Sequence, residues 1–452
     1  MMKFDLWFFL SKNLSRVLER GILLFSILWF GGCVANPVTH QPQFILMSES
    51  QEVQIGNETY PVYTQMSSGL FKDDALQAYV QNVGQRLARV SQRPQLPYAF
   101  NLVNASELNA YALPGGKISI TRGLLSRMNN EAELASVLGH EIGHVAARHA
   151  ASAYTRQVFA SAINVAGSMA IEASGVQGGN LLREAGMIAT NLALMRYSRD
   201  QERQSDEIGL DYMVRAGYNP EGYVQTMEIL MQGQNREPSV LESYISSHPL
   251  TTERINTARQ RVAFYDAGLK TEGRLQTGPF MNATKHLRSL LPAYGKMDEG
   301  MKLLAADNPN AAITPLKEAT RLAPDQALIW VNLAVAEASL KNYDQAMTTA
   351  DKAVALYPDL YQARYVSGVL SFHGGRYEQS LNNLNIAGRL VSDQPQVFFW
   401  QGRDYEALGR RDQAARQYSA VLKQVQKGPM AEYCYKKLVA WGYLRPMPRQ
   451  NR

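Results

Sequence analysis

The stretch from 131 to 150, Glu-Ala-Glu-Leu-Ala-Ser-Val-Leu-Gly-His-Glu-Ile-Gly-His-Val-Ala-Ala-Arg-His-Ala, decides how the first half of the chain is read. It contains His140-Glu141-Ile142-Gly143-His144. On an α-helix, residues four apart lie about one turn apart on one face, so both imidazoles can reach a single Zn²⁺ at about 2.0–2.1 Å. Glu141, beside the first of them, is placed to take a proton from a water activated by that metal. The same five-residue pattern arises by chance, so the helix has to be argued from its surroundings. Leu134, Val137, Leu138 and Val145 supply its apolar positions, and Asn130 and Glu133 have capping-box spacing at its start, Asn standing in for Ser or Thr. The helix therefore reads as largely buried, which gives a metal site its dry wall.

A catalytic zinc takes three protein ligands and keeps a fourth position open. Ser198-Arg199-Asp200-Gln201-Glu202-Arg203-Gln204-Ser205-Asp206 offers Glu202 as the third. Asp206 lies one turn further on, where its carboxylate could accept the free ring N–H of a ligating histidine and fix its tautomer. Taken alone, the segment reads equally well as a solvated charged helix face; opposite the HExxH helix the ligand reading prevails. Three ligands with Glu141 beside them describe an open site rather than a closed structural one.

With Asn109-Ala110-Tyr111-Ala112-Leu113-Pro114-Gly115-Gly116, Gly123-Leu124-Leu125 and Glu131-Ala132-Glu133-Leu134-Ala135, these segments resemble the gluzincin peptidases related to HtpX and the CAAX prenyl protease, over about residues 48–265. The resemblance implies a zinc metalloendopeptidase with one Zn²⁺ per chain on His140, His144 and Glu202, and Glu141 as general base. Ser205 departs from the family, which usually has Ala there. Ser246-Ser247-His248-Pro249-Leu250, followed by Thr252-Glu253-Arg254-Ile255, matches a loop of the same family. His248 has two readings: it acts at the metal, stabilising the transition state or capping the ion when no substrate is bound, or it caps the next helix. His149 falls outside the ligand spacing and reads as structural, while His40, His286 and His373 have no nameable partners. Val158–Leu182 is Ala- and Gly-rich and apolar, but Asn164, Glu172 and Gln177 interrupt it, so no transmembrane helix is expected there.

The organisation around this unit is mainly α. From Ser48 to about Ala267 the pattern is helical with one strand-like interruption, Lys117–Thr121, entered through the turn Pro114-Gly115-Gly116. That strand is either an exposed edge on which an extended peptide could pair or part of an ordinary hairpin. Residues 268–281, rich in Gly, Thr and charge, read as a linker. Beyond them small or apolar residues recur every 34 positions: Ala312, Ala346, Ser380 and Ala414; Ala319, Ala353, Ala387 and Val421; Ala334, Gly368 and Gly402. Pro324-Asp325, Pro358-Asp359 and Ser392-Asp393 keep the same step. A period of 34 on paired helices is the tetratricopeptide signature, so 282–445 is expected to form an α-solenoid of about four units with a concave groove for protein partners.

Residues 1–33 have the shape of a signal peptide. Lys3, Lys12, Arg16 and Arg20 precede the apolar run Ile22–Phe30, which is short for a bilayer. Phe30-Gly31-Gly32-Cys33 resembles a bacterial lipobox, with Phe30 in the usual leucine position. A lipidated Cys33 would anchor the protein to a membrane; cleavage after Cys33-Val34-Ala35 would release it. Residues 34–47 read as a tether. The other cysteine is Cys434, which excludes a disulfide framework; a Cys33–Cys434 bridge would require an unprocessed Cys33. A net charge of +6, with no arginine-rich run interleaved with aromatics, argues against nucleic-acid binding.

Signal, peptidase and repeats together are similar to the periplasmic, β-barrel assembly-enhancing branch of the family. That implies degradation of unfolded or misassembled outer-membrane proteins in the periplasm and docking on their assembly machinery through the repeats. The alternative is an envelope chaperone or scaffold whose zinc site is mostly latent.

Overall fold

A computed structural model describes residues 33–158, 197–236, 244, 247–265, 268 and 273–445. The signal segment up to residue 32, and Val158–Leu182 beyond its first residue, lie outside them. Among the described residues no helix is long and apolar enough to cross a membrane.

Ala99–Val103 (β3), Ala110–Leu113 (β4) and Lys117–Thr121 (β5) form a sheet in the order β3-β5-β4, with β5 parallel to β3 and antiparallel to β4. Only β5 was expected. Ala-Tyr-Ala-Leu in β4 carries as much helix as strand propensity, and the pairing partners decide its state. β5 is buried along its length between the other two, so of the two readings of Lys117–Thr121 the hairpin, made with β4, holds and the exposed edge does not; β3 and β4 are the outer strands. The turn feeding β5 needs its glycines. Gly115 and Gly116 have φ of 71° and 81°, and a Cβ on Gly115 would lie 2.6 Å from Val53 Cα.

The helix Glu131–Ala146 is buried at every position and packs on this sheet. Asn130 Oδ1 accepts the Glu133 N–H at 3.0 Å, but the Glu133 carboxylate returns to the Asn129 N–H, at 2.6 Å, one residue before the expected capping-box partner. Residues 34–47 are more than a tether: Cys33–Ala35 (β1) pairs antiparallel with Pro42–Phe44 (β2), Ile45 and Met47 are buried, and the Asn36 amide donates to Ala147 O beyond the helix C-terminus. The expected linker is also anchored. Thr277–Ala283 is a helix whose Phe280 is fully buried, and the Glu131 N–H donates to Leu275 O at 3.0 Å. One buried aromatic ties this segment down without producing an apolar period.

Four helix pairs follow: Lys285–Ala305 with Pro309–Leu322, Ala327–Ser339 with Tyr343–Leu356, Tyr361–His373 with Tyr377–Leu390, and Pro395–Ala407 with Arg411–Gln424, closed by Pro429–Ala440. The small-residue column extends back to Gly300. Gly300, Gly368 and Gly402 press on Leu316, Leu384 and Tyr418, at 2.4–2.8 Å from where a Cβ would stand, and these partners are themselves spaced in multiples of 34. Cys434 is buried and free, so the Cys33–Cys434 bridge is not formed. His286 and His373 gain partners that the sequence did not show: Asp73 at 3.0 Å for the first, and the rings of Tyr343 and Trp400 for the second. One continuous apolar core runs from Phe71 through the sheet and into the first repeats as far as Ala336. Polar ties reinforce it: the Tyr361 N–H donates to Gln65 Oε1 at 3.0 Å, Ser106 Oγ to Asp298 Oδ1 at 2.7 Å, and the Arg122 guanidinium lies 3.6 Å from the Tyr294 ring centre.

Within the repeats Asp404 is fully buried, with one oxygen accepting from Ser380 Oγ at 2.6 Å and the other without a partner. Burial pushes its carboxyl up to about 7. The folded protein therefore holds that proton over a range where the unfolded chain has lost it, and stability contributed by the protonated form is lost as pH rises toward 7. Asp404→Asn removes the penalty: the variant-minus-wild-type shift in unfolding temperature is expected to be more positive at pH 8 than at pH 5.

Candidate metal centre

The sequence puts small residues where two helices cross. Gly139 and Gly143 lie on the HExxH helix, Ser205 and Gly209 on Arg199–Arg215. A Cβ on Gly209 would stand 2.8 Å from His140 N, and one on Gly143 would stand 3.1 Å from Ser205 O, so the two backbones are in contact. Ser198 and Gln201 form a complete capping box at the start of the second helix, fixing the turn that carries Glu202. Ser205, the departure from the family pattern, is fully buried at this crossing.

The crossing brings the expected ligands together. His140 Nε2 and His144 Nε2 are 3.0 Å apart, Glu202 Oε1 is 3.4 Å from His144 Nε2, and Glu202 Oε2 is 3.6 Å from His140 Nε2. A tetrahedron around zinc at about 2.0–2.1 Å has edges of about 3.3–3.4 Å, so these separations fit one ion. His248 joins them: its Nδ1 is 3.3 Å from His140 Nε2 and 3.0 Å from Glu202 Oε1, at the fourth corner. The four ligand atoms lie within 4.8 Å of one another and all four residues are buried. Two imidazoles, a carboxylate and a third imidazole form a donor set that suits zinc. Helix capping is done by Thr251, whose hydroxyl accepts the Arg254 N–H, so the capping reading of His248 is corrected.

Behind the ligands, Asp206 Oδ1 is 3.0 Å from His140 Nδ1, the contact expected from the sequence. Arg254 was not foreseen. It grips both Asp206 oxygens at 2.6 and 2.7 Å and lies 2.8 Å from Glu202 Oε2. A single arginine at the start of a helix carries no sequence signature of such a role, although it stands within the quoted Thr252–Ile255. Tyr223 donates to Asp206 at 2.7 Å, and Tyr197 stacks on His144 with ring centres 3.8 Å apart. His149 is not merely structural filling: its Nδ1 is 2.9 Å from His144 Nδ1 and its Nε2 is 2.9 Å from Gln204 Oε1.

Charge states follow from this packing. Burial would raise the Glu202 carboxyl, but His248, His144 and His140 outweigh it and hold the group well below the usual carboxylate range. Burial keeps His144 well below the usual imidazole range, hence neutral and able to ligate. Glu141 is fully buried with neither oxygen in a well-formed hydrogen bond, and burial raises its carboxyl. His248 faces Glu202 and, at 3.7 Å, Glu141; the two carboxylates outweigh its burial and raise it.

Gly209→Ala is expected to force the helices apart at His140 and to weaken zinc binding more than tenfold while helix content by circular dichroism stays unchanged. Arg254→Met leaves the buried Glu202 and the largely buried Asp206 without their cation. It is expected to lower metal-free stability by about 3–5 kcal/mol, read by chemical denaturation.

A model of peptidase family M48 matches residues 74–262, and tetratricopeptide-repeat models match 297–361 and 396–427. The beta-barrel assembly-enhancing protease of Escherichia coli (strain K12) is 25% identical over 438 residues, covering 86% of this chain and 87% of that protein. The metalloprotease YcaL of the same strain is 32% identical over 186 residues, covering 40% of this chain and 70% of that one. The mitochondrial metalloendopeptidase OMA1 of Saccharomyces cerevisiae is 26% identical over 269 residues, covering 54% and 76%.

Proposed function

The chain belongs to peptidase family M48, a metalloprotease followed by tetratricopeptide repeats, and on that premise we propose that it is a zinc-dependent endopeptidase of the bacterial periplasm. In this reading it degrades misfolded or stalled envelope proteins and assists the assembly of outer-membrane β-barrel proteins. The observation that carries the reading is a likeness spanning peptidase and repeats together, over 87% of a relative named for β-barrel assembly.

In this proposal the peptidase unit spans about residues 48–267 and the repeats 282–445. His140, His144 and Glu202 hold the metal, and Asp206 fixes the ring of His140. Zinc bound there would supply Lewis acidity toward a substrate carbonyl and acidify a water molecule. Glu141 takes the proton of the attacking water and passes it to the leaving amine; its burial, which raises its affinity for a proton, suits both halves of that task. The outer strand β4 lies against the HExxH helix, so a substrate pairing with it would be received as extended chain, which selects unfolded segments. The repeats dock unfolded outer-membrane proteins or their assembly machinery. Residues 1–33 direct export, and a lipid on Cys33 would add a membrane anchor.

A second reading has its own observation. With His248 Nδ1 at the fourth corner, the site as folded is closed, which favours a chaperone or scaffold with a latent zinc centre. The two separate in one experiment: degradation of an unfolded reporter by wild type and Glu141→Gln, with zinc quantified in each. The protease reading expects both to retain zinc and Glu141→Gln to lose about 10²–10⁴-fold in rate. If neither cleaves while both hold zinc, the latent reading stands, and His248→Ala should release activity. Equal cleavage by both removes Glu141 from the role of base.

A further inference from the structure

We propose that His149 is a positioning residue for the metal centre, setting the tautomer of His144 through a proton-ordered relay that ends on Gln204. The inference rests on the zinc reading above and adds to it a residue outside the HExxH spacing.

Two ring nitrogens 2.9 Å apart cannot both carry hydrogen, nor can both be bare; one must donate to the other. Ligation through His144 Nε2 requires the hydrogen on its Nδ1, and the far end of the chain agrees with that order. His149 Nε2 meets the carbonyl oxygen of Gln204 at 2.9 Å, and that oxygen can only accept, so the proton of a neutral His149 sits on Nε2 and its Nδ1 is the acceptor. His144 Nδ1 must then donate, which leaves a lone pair on His144 Nε2, the atom facing His140 Nε2 and Glu202. The reverse order would place hydrogen on that atom and spoil it as a ligand. His149 thus does for His144 what the Asp206 carboxylate does for His140, with an uncharged acceptor in place of an anion.

The fold is arranged to deliver this contact. In a continuous helix, a residue five positions on points about 140° away around the axis. Here the HExxH helix ends at Ala146, and Arg148 turns the chain with φ of 58°, a conformation costly to a side chain other than glycine. Arg148 is held there by Glu52 Oε1 and Met47 O, both at 2.6 Å, while Arg93 binds Glu52 and Val145 O from the other side. The turn swings buried His149 back to meet the ring of His144 edge-on. Gln204 lies between Glu202 and Asp206 on the same helix, so one element supplies a ligand, the brace for one histidine and the end of the relay for the other.

The test uses full-length protein, zinc competition against a chromophoric chelator, and the visible spectrum of the Co²⁺-substituted form. His149→Phe keeps a ring but removes the acceptor; the zinc dissociation constant should rise about 10–100-fold and the cobalt band should shift. His149→Asn, whose Oδ1 can stand near the lost Nδ1, should recover part of both. Gln204→Leu should weaken zinc several-fold without change in helix content. Wild-type affinity and an unchanged cobalt spectrum in His149→Phe overturn the proposal while leaving the zinc reading intact. Should His149→Phe fail to fold, unchanged zinc affinity in Gln204→Leu overturns it instead. A wild-type protein that binds no zinc brings down the zinc reading and this inference together.

Discussion

The close crossing of two helices at Gly139, Gly143, Ser205 and Gly209 is the constraint on which the site depends. Ligand atoms on separate helices must come within about 3.4 Å of one another to share a zinc ion, and ordinary side chains at a crossing hold helix axes about 8–10 Å apart. Removing those side chains lets Gly209 lie against the backbone of His140 itself. Glu202 and Asp206, either side of the contact, then face His140 from the front and from behind. Glycine costs helix stability, roughly 1 kcal/mol relative to alanine, and its use at this crossing is a measure of what the approach requires.

That approach concentrates charge where water is scarce. Glu141 and Glu202 are buried with the largely buried Asp206 beside them, and Arg254 is the cation that makes the cluster tolerable, sharing its guanidinium between Asp206 and Glu202. It does not serve Glu141, whose charged neighbour is His248 at 3.7 Å. The carboxylates that hold the histidines are neutralised from behind by a permanent cation, whereas the one facing the ligand cluster has an imidazole beside it and no well-formed hydrogen bond, a division between bracing groups and a group free to exchange a proton.

Much of this was written in the chain, and what was missing has a physical reason in each case. HExxH spacing is periodic and local, so His140 and His144 could be placed from sequence; Glu202 and Asp206 followed from helical spacing once a third ligand was required. The repeats were legible because Gly368 and Gly402 recur at a fixed step. Arg254, Tyr197 and the contact between His149 and His144 were not, because each depends on a meeting of segments that are distant in sequence or on a left-handed turn at Arg148 that composition does not announce. β3 and β4 escaped for a related reason: Ala-Phe-Asn-Leu-Val and Ala-Tyr-Ala-Leu are too short and too uniformly buried to show a two-residue alternation. Edge and centre are properties of a sheet rather than of a strand, so the exposure of Lys117–Thr121 could not be judged alone.

The continuity of the apolar core has a consequence for what counts as a part of this molecule. Composition changes at 268–281, and a protein chemist dividing the chain would cut there. The packing would not support that cut: Phe280, Leu287, Tyr294 and Ile329 belong to the same oily interior as Leu124, Leu134 and Tyr218. The continuous interior ends at Ala336, beyond which it breaks into small clusters of a few residues each, while Tyr361 of the third repeat still ties to Gln65. The first repeat and the opening helix of the second are thus foundation for the peptidase. The later ones are the superstructure, each packed on its neighbour through a small apolar cluster of its own.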